Sequence, residues 1–255
     1  MDMDLTLINI TIVTCGLITG SFINVISYRI PKNLPIVFSR SMCPKCNYSI
    51  PLYRNIPIIT YLLQIGKCYN CNKRISIQYL IIEIITPIIF LLGIKNNSGC
   101  EYYLFLWMSS ILIIISLIDY KTFTIPLSLM LYMLLGQLVF IILDIDLYQI
   151  KNMLLGLFLG LTYLGLTFII TSMIYKKQTL GYGDLLLISI IGLWLGPINI
   201  LICIFLSAII GLLIWFINYF RNIKEEKIPF GTCLAFSSIL LKIINLDFIS
   251  YMTKL

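Results

Sequence analysis

A succession of apolar runs constrains this chain more than any other feature. Stretches long enough, or nearly so, to cross a hydrocarbon layer lie at about 5 to 27, 77 to 94, 102 to 118, 124 to 143, 149 to 174, 184 to 197, 198 to 220 and 229 to 250. Backbone polar groups in lipid have no water to pair with, so such runs fold as helices. The expected fold is all-α: a polytopic integral membrane protein with about eight transmembrane helices, the sixth and seventh separated only by Gly196-Pro197. Composition agrees, since 60% of the residues are hydrophobic, 11% are charged and mean hydropathy is +0.99, far outside the soluble globular range.

Charge sets the orientation. Between the first and second runs lie Arg29, Lys32, Arg40, Lys45, Arg54, Lys67, Lys73 and Arg74, with no acidic residue before Glu83, so this loop is expected on the cytoplasmic side. Alternation from there puts the N-terminus outside with Asp2 and Asp4, and places Lys121, Lys176, Lys177, Arg221, Lys224 and Lys227 inside. Lys95, Glu101, Asp144, Asp146 and Lys151 fall outside. Three parts follow: a first transmembrane helix at 1–27, a basic four-cysteine loop at 28–76, and a helix bundle at 77–255. The first run has no basic segment before it and contains Asn24, which favours a retained helix over a cleaved signal. The net charge of +7 serves orientation and attraction to anionic lipid. The basic loop lacks a recognition-helix pattern, so no nucleic-acid partner is expected.

Within that loop stand Cys43-Pro44-Lys45-Cys46 and, after 21 intervening residues, Cys68-Tyr69-Asn70-Cys71. Two such knuckles supply four thiolates for a tetrahedral site, and zinc accepts that soft set without redox chemistry. A redox pair or four unligated thiols are the alternatives, and a cytoplasmic setting disfavours structural disulfides. A closed four-cysteine site has no open coordination position, so its expected zinc is structural. Cys15, Cys100, Cys203 and Cys233 are isolated and carry no expected function.

The chain has no histidine, which excludes Ser-His-Asp, Cys-His and HExxH chemistry together. Two carboxylates remain where charge is costly. Asp119 ends the run at 102–118, and Asp184, in Gly181-Tyr182-Gly183-Asp184, begins the run at 184–197. The orientation puts both at the cytoplasmic side and at one depth, where they form a candidate pair for aspartyl-protease chemistry. The alternative for Asp119 is a topology marker, and for Asp184 a helix N-cap, a role compatible with catalysis. Glu83 lies within the second run, either as a functional acid or paired with Arg29 or a loop lysine.

The chain resembles the type IV prepilin peptidases, GxGD aspartyl proteases also called leader peptidases and N-methyltransferases. The resemblance rests on Gly20-Ser21-Phe22-Ile23-Asn24-Val25, Tyr28-Arg29-Ile30-Pro31, both knuckles, Asn55-Ile56-Pro57 and Gly66-Lys67-Cys68. It continues through Ile75-Ser76, Tyr79, Glu83, Asp119 with Ile125-Pro126, the GxGD segment and Pro229-Phe230-Gly231. The resemblance implies catalysis by Asp119 and Asp184 and removal of the short basic leader of prepilins or pseudopilins at the cytoplasmic face of the bacterial inner membrane. In many members N-methylation with S-adenosylmethionine follows, for which Glu83 is a candidate. The chain departs from the pattern at Leu186, where lysine is usual, at Leu127, where aspartate is frequent, and at Thr232, where proline is usual. Pro87 stands where the family has a glycine associated with methyl transfer.

Two other classes remain in view. A transporter or channel would use intramembrane carboxylates near mid-membrane, often with an inverted repeat, whereas these aspartates sit at one edge and no repeat is evident. A catalytically silent assembly factor would use the cysteine loop to recruit partners and would tolerate loss of either aspartate.

Overall fold

A computed structural model describes residues 2–36, 40–97, 99–144, 147–176, 181–221 and 227–244. Helix α1 spans Asp2–Arg29, α2 Ile59–Leu63, α3 Ile77–Gly93, α4 Gly99–Thr122 and α5 Leu127–Leu143. The remaining helices are α6 Leu147–Tyr175, α7 Tyr182–Leu195, α8 Pro197–Phe220 and α9 Phe230–Ile244. Each apolar run forms a helix, and the short α2 inside the basic loop is an unanticipated addition. Among the described residues no strand forms. The first run and helices α4, α6 and α8 are long and apolar enough to cross a membrane, while α3, α5, α7 and α9 are shorter apolar helices. The chain is therefore all-α and polytopic. Asp146, Lys177, Lys224 and the expected helical stretch 245–250 lie outside the described residues.

Helix ends depart from the apolar boundaries for local reasons. Helix α4 runs past Asp119 and stops at Phe123, whose backbone is left-handed at φ 52 and whose amide closes on the Asp119 carbonyl at 2.8 Å. Helix α5 begins at Leu127 and not at 124, because extended Pro126 caps it and a proline disfavours helical backbone in the residue before it. Between α7 and α8, Gly196 adopts φ 78 and ψ −179, a conformation suited to glycine, and Pro197 opens the next helix.

The chain divides into two compact units, Met1–Ile94 and Lys95–Leu255. In the first, α1 lies along α3, so α3 packs with the N-terminal helix although the sequence grouped it with the later ones. Small residues allow the approach: a β-carbon on Gly20 would meet the Ile82 carbonyl at 3.0 Å and Thr86 Oγ1 at 3.1 Å. Buried Asn24 stitches the two helices, donating from Nδ2 to the Tyr79 carbonyl at 3.2 Å and accepting from Gln78 Nε2 at 3.4 Å.

In the second unit, α4 forms the core, with Phe105, Met108, Leu112 and Ile115 fully buried. Helices α5 and α9 pack on α4, α8 packs on α9, and α6 lies against α7 and α8. Gly156 and Gly192 each face the other's carbonyl so closely that neither position has room for a β-carbon. Buried Gln137 Nε2 donates to the Ile190 carbonyl at 2.9 Å and ties α5 to α7. This packing brings the C-terminal turn of α4 together with the N-terminal turns of α7 and α9.

Candidate active site

Asp119 occupies the last turn of α4 and is only 4% exposed. A helix dipole disfavours a carboxylate at that end, so the charge needs partners. They come from α9: the Thr232 amide donates to Asp119 Oδ2 at 2.8 Å, and Thr232 Oγ1 lies 3.2 Å from the same oxygen and 3.0 Å from the Ser116 carbonyl. Gly231 permits the approach, since a β-carbon there would lie 3.1 Å from Oδ2.

Asp184 stands in the first turn of α7, half-buried. It is not the N-cap. Gly181 takes that position with extended backbone at φ −77 and ψ 142, and the Asp184 amide donates to the Gly181 carbonyl at 3.1 Å. The carboxyl folds back over Gly181, where a β-carbon would lie 3.1 Å from Oδ2. A first-turn position still favours an acid through the dipole.

Ile125 joins the motifs. A β-carbon on Gly183 would lie 3.3 Å from Ile125 Cβ, and one on Gly231 would lie 2.9 Å from Ile125 Cδ1. The Asp119, Gly181–Asp184 and Pro229–Thr232 segments thus converge around Ile125. Leu127 and Leu186, where the chain departs from the family pattern, are exposed, as is Asp144 at the end of α5. In the sequence Thr232 stands out only as a departure from the family pattern, and its contact with Asp119 arises through tertiary packing.

The four knuckle cysteines meet in the first unit, with all four sulfurs within 4.8 Å of one another. Cys43 to Cys71 and Cys46 to Cys68 are 4.0 Å each. A tetrahedron with Zn–S bonds of about 2.3 Å has edges of about 3.8 Å, so the cluster fits zinc. Each knuckle is built alike. Cys43 N donates to Tyr48 O and Cys68 N to Lys73 O, both at 3.0 Å, while Asn47 and Asn72 close the turns at φ 56 and 53. One isolated bridge flanks each turn, Met42 with Ser49 and Lys67 with Arg74. Asn47 and Asn72 directly follow the second cysteine of their knuckles, a repeat visible in the sequence beside the cysteine spacing. The Arg54 guanidinium stacks on the Tyr69 ring at 3.3 Å and pins the connecting segment to the second knuckle.

Backbone amides tune the thiols. The Tyr48 amide lowers Cys46, and the Cys71 amide brings Cys68 down to about 7. The Lys73 amide favours the Cys71 thiolate, but burial and hydrogen bonds with the other thiols push Cys71 up to about 11.

Glu83 is 7% exposed, and its Oε2 accepts the Ile58 amide at 2.7 Å. The Arg29 guanidinium donates to the carbonyls of Pro35, Ile36 and Arg40.

Two carboxyls brought together at the ends of apolar helices are a pair suited to the chemistry of membrane aspartic endopeptidases. Residues 14–96 match the family model described as the Bacterial Peptidase A24 N-terminal domain, and residues 106–216 match the Type IV leader peptidase family. The chain is 32% identical over 248 residues to the prepilin leader peptidase/N-methyltransferase of Neisseria gonorrhoeae, covering 87% of this chain and 85% of that protein. It is 31% identical over 244 residues to the protein of the same name in Bacillus subtilis (strain 168), covering 94% and 96%. No solved structure matches. The chain belongs to the type IV leader peptidase family.

Proposed function

We propose that Asp119 and Asp184 are the catalytic pair with which this chain removes the leader of a type IV prepilin or pseudopilin. Family membership makes the chain an aspartic endopeptidase of the bacterial inner membrane, acting on prepilin-type leaders. The observation that carries the catalytic assignment is the convergence of the Asp119, Gly181–Asp184 and Pro229–Thr232 segments around Ile125. Two neighbouring carboxyls favour sharing one proton, which yields a base and an acid. The base takes a proton from water as the water oxygen bonds to the scissile carbonyl carbon, and the acid gives its proton to the carbonyl oxygen. The tetrahedral intermediate collapses as the aspartate that took the water proton gives it to the leaving nitrogen, the other aspartate takes a proton back from a hydroxyl of the intermediate, and the carbon–nitrogen bond breaks.

In this reading all eight apolar helices cross the bilayer with the N-terminus outside. The parts are the first helix at 1–27, the cytoplasmic loop at 28–76 and the peptidase bundle at 77–255, with α3 packed back on α1. Cys43, Cys46, Cys68 and Cys71 hold a structural zinc that fixes the loop. The position linked to methyl transfer fits S-adenosylmethionine poorly: Pro87 is buried, and Glu83 already engages the Ile58 amide. Glu83 is therefore assigned to anchoring the loop.

The test is mass spectrometry of a co-expressed prepilin with the wild-type chain, Asp119→Asn and Asp184→Asn. Leader loss with wild type alone is expected. Normal processing by either inserted variant would overturn the catalytic assignment, and a further ~14 Da on the new N-terminus would show that Pro87 does not prevent methyl transfer.

A further inference from the structure

Among the groups around the paired carboxyls, Thr232 places two donors on a single oxygen of Asp119. We propose that Thr232 is a positioning residue whose hydroxyl, acting with its amide, keeps the two Asp119 oxygens to different duties through each proton transfer, holding Oδ2 as an acceptor and leaving Oδ1 to carry and exchange the proton. The proposal deepens the catalytic reading of Asp119 and rests on it.

An N–H only donates, and a carboxyl oxygen that bears a proton is a poor acceptor. With the Thr232 amide 2.8 Å from Oδ2, that oxygen is the acceptor whether the carboxyl is ionised or neutral, so the proton of the neutral form resides on Oδ1. Thr232 is the third residue of α9, where amides lack an intrahelical acceptor, so donating to Asp119 disrupts no helical bond.

The hydroxyl adds a response to protonation. Thr232 Oγ1 carries one hydrogen and faces two acceptors, the Ser116 carbonyl at 3.0 Å and Asp119 Oδ2 at 3.2 Å. Charge-assisted hydrogen bonds are the stronger ones, so the hydrogen turns to Oδ2 when the carboxylate forms and returns to Ser116 when the carboxyl is neutral. No heavy atom need move. A proline at position 232 would carry neither donor, so this arrangement belongs to this chain's own sequence.

The experiment uses purified full-length enzyme in detergent with a prepilin substrate, comparing Thr232→Val, Thr232→Ser, Asp119→Asn and Asp184→Asn. Valine keeps the amide and the volume but removes the hydroxyl. Its expected effect is about a tenfold fall in kcat with KM within about twofold of wild type, largely restored by serine. Wild-type kcat in Thr232→Val beside an inactive Asp119→Asn overturns the proposal, and so does a loss that serine fails to restore. If both asparagine variants cleave normally, the carboxylate reading itself fails. Should the valine variant not insert, Thr232→Ala carries the same expectation, and wild-type kcat there overturns the proposal equally.

Discussion

Gly16 in α1 runs directly against the backbone of Pro87 in α3: a β-carbon at position 16 would lie 2.5 Å from Pro87 Cα and 2.8 Å from its Cβ. Together with Gly20 four residues on, it lets two helices meet backbone to backbone, as small residues at this spacing do in membranes. Gly16→Ala is expected to cost about 1–3 kcal/mol of stability through overpacking. Because the nearest atom is backbone, Pro87→Gly should fail to rescue it. Thermal unfolding in detergent of both single variants and the double variant checks this, and full rescue would show that the proline ring alone limits the contact.

The Glu83 contact makes a second prediction. Ile58 has φ 63 and ψ −54, closed by the Ile59 amide on the Pro57 carbonyl at 2.6 Å, which is a γ-turn. A β-branched residue is strained there and persists only if its surroundings hold it. The Glu83 carboxylate supplies that hold through the Ile58 amide. Glu83→Ala should destabilise the first unit by about 1.5–3 kcal/mol, and Glu83→Gln, which keeps an oxygen acceptor, by less. Equal melting of the alanine variant and wild type would show that the turn stands without its latch.

The helices and both candidate sites were legible in the sequence because each depends on a strong local cost or a fixed spacing. Apolar length dictates a helix in lipid, and a carboxyl beside an apolar run is too costly to ignore. Paired knuckles fix which sulfurs meet. The holding groups were not legible, since Thr232 and the Ile58 amide are neutral and reach their carboxyls only through tertiary packing. Helix ends also shifted. Asp184 lay at an apolar boundary, yet extended Gly181 starts the helix earlier and moves the acid into the first turn.

Metal binding should depend on pH in a definite direction. Cys68 falls from an ordinary 9.0 to about 7, so in metal-free protein its contribution to stability is present above pH 9 and is lost as pH falls through about 7. Zinc must displace the remaining thiol protons, so affinity declines further in acid. Purified protein is expected to hold about one zinc per chain, and Cys43→Ser or Cys71→Ser should release most of it. Elemental analysis across a pH series checks this; retention independent of pH and of both cysteines would place the metal elsewhere.

Glycines around the aspartates should rank by what their missing β-carbons would strike. At Gly231 the added atom meets Asp119 Oδ2 at 3.1 Å, Asp119 Cγ at 3.2 Å and Ile125 Cδ1 at 2.9 Å, so alanine displaces the carboxyl itself. At Gly183 its nearest neighbours are Ile125 atoms at 3.3 Å or more, and at Gly165 in α6 it meets nothing within 4 Å. Small displacements of a reacting group are costly, so Gly231→Ala is expected to lower kcat about tenfold or more, Gly183→Ala less, and Gly165→Ala not measurably. Leader-cleavage kinetics on the three inserted variants read the order directly. If Gly231→Ala cleaves as fast as Gly165→Ala, the close seat of Asp119 against the first turn of α9 is not the arrangement in which the peptide bond is cut.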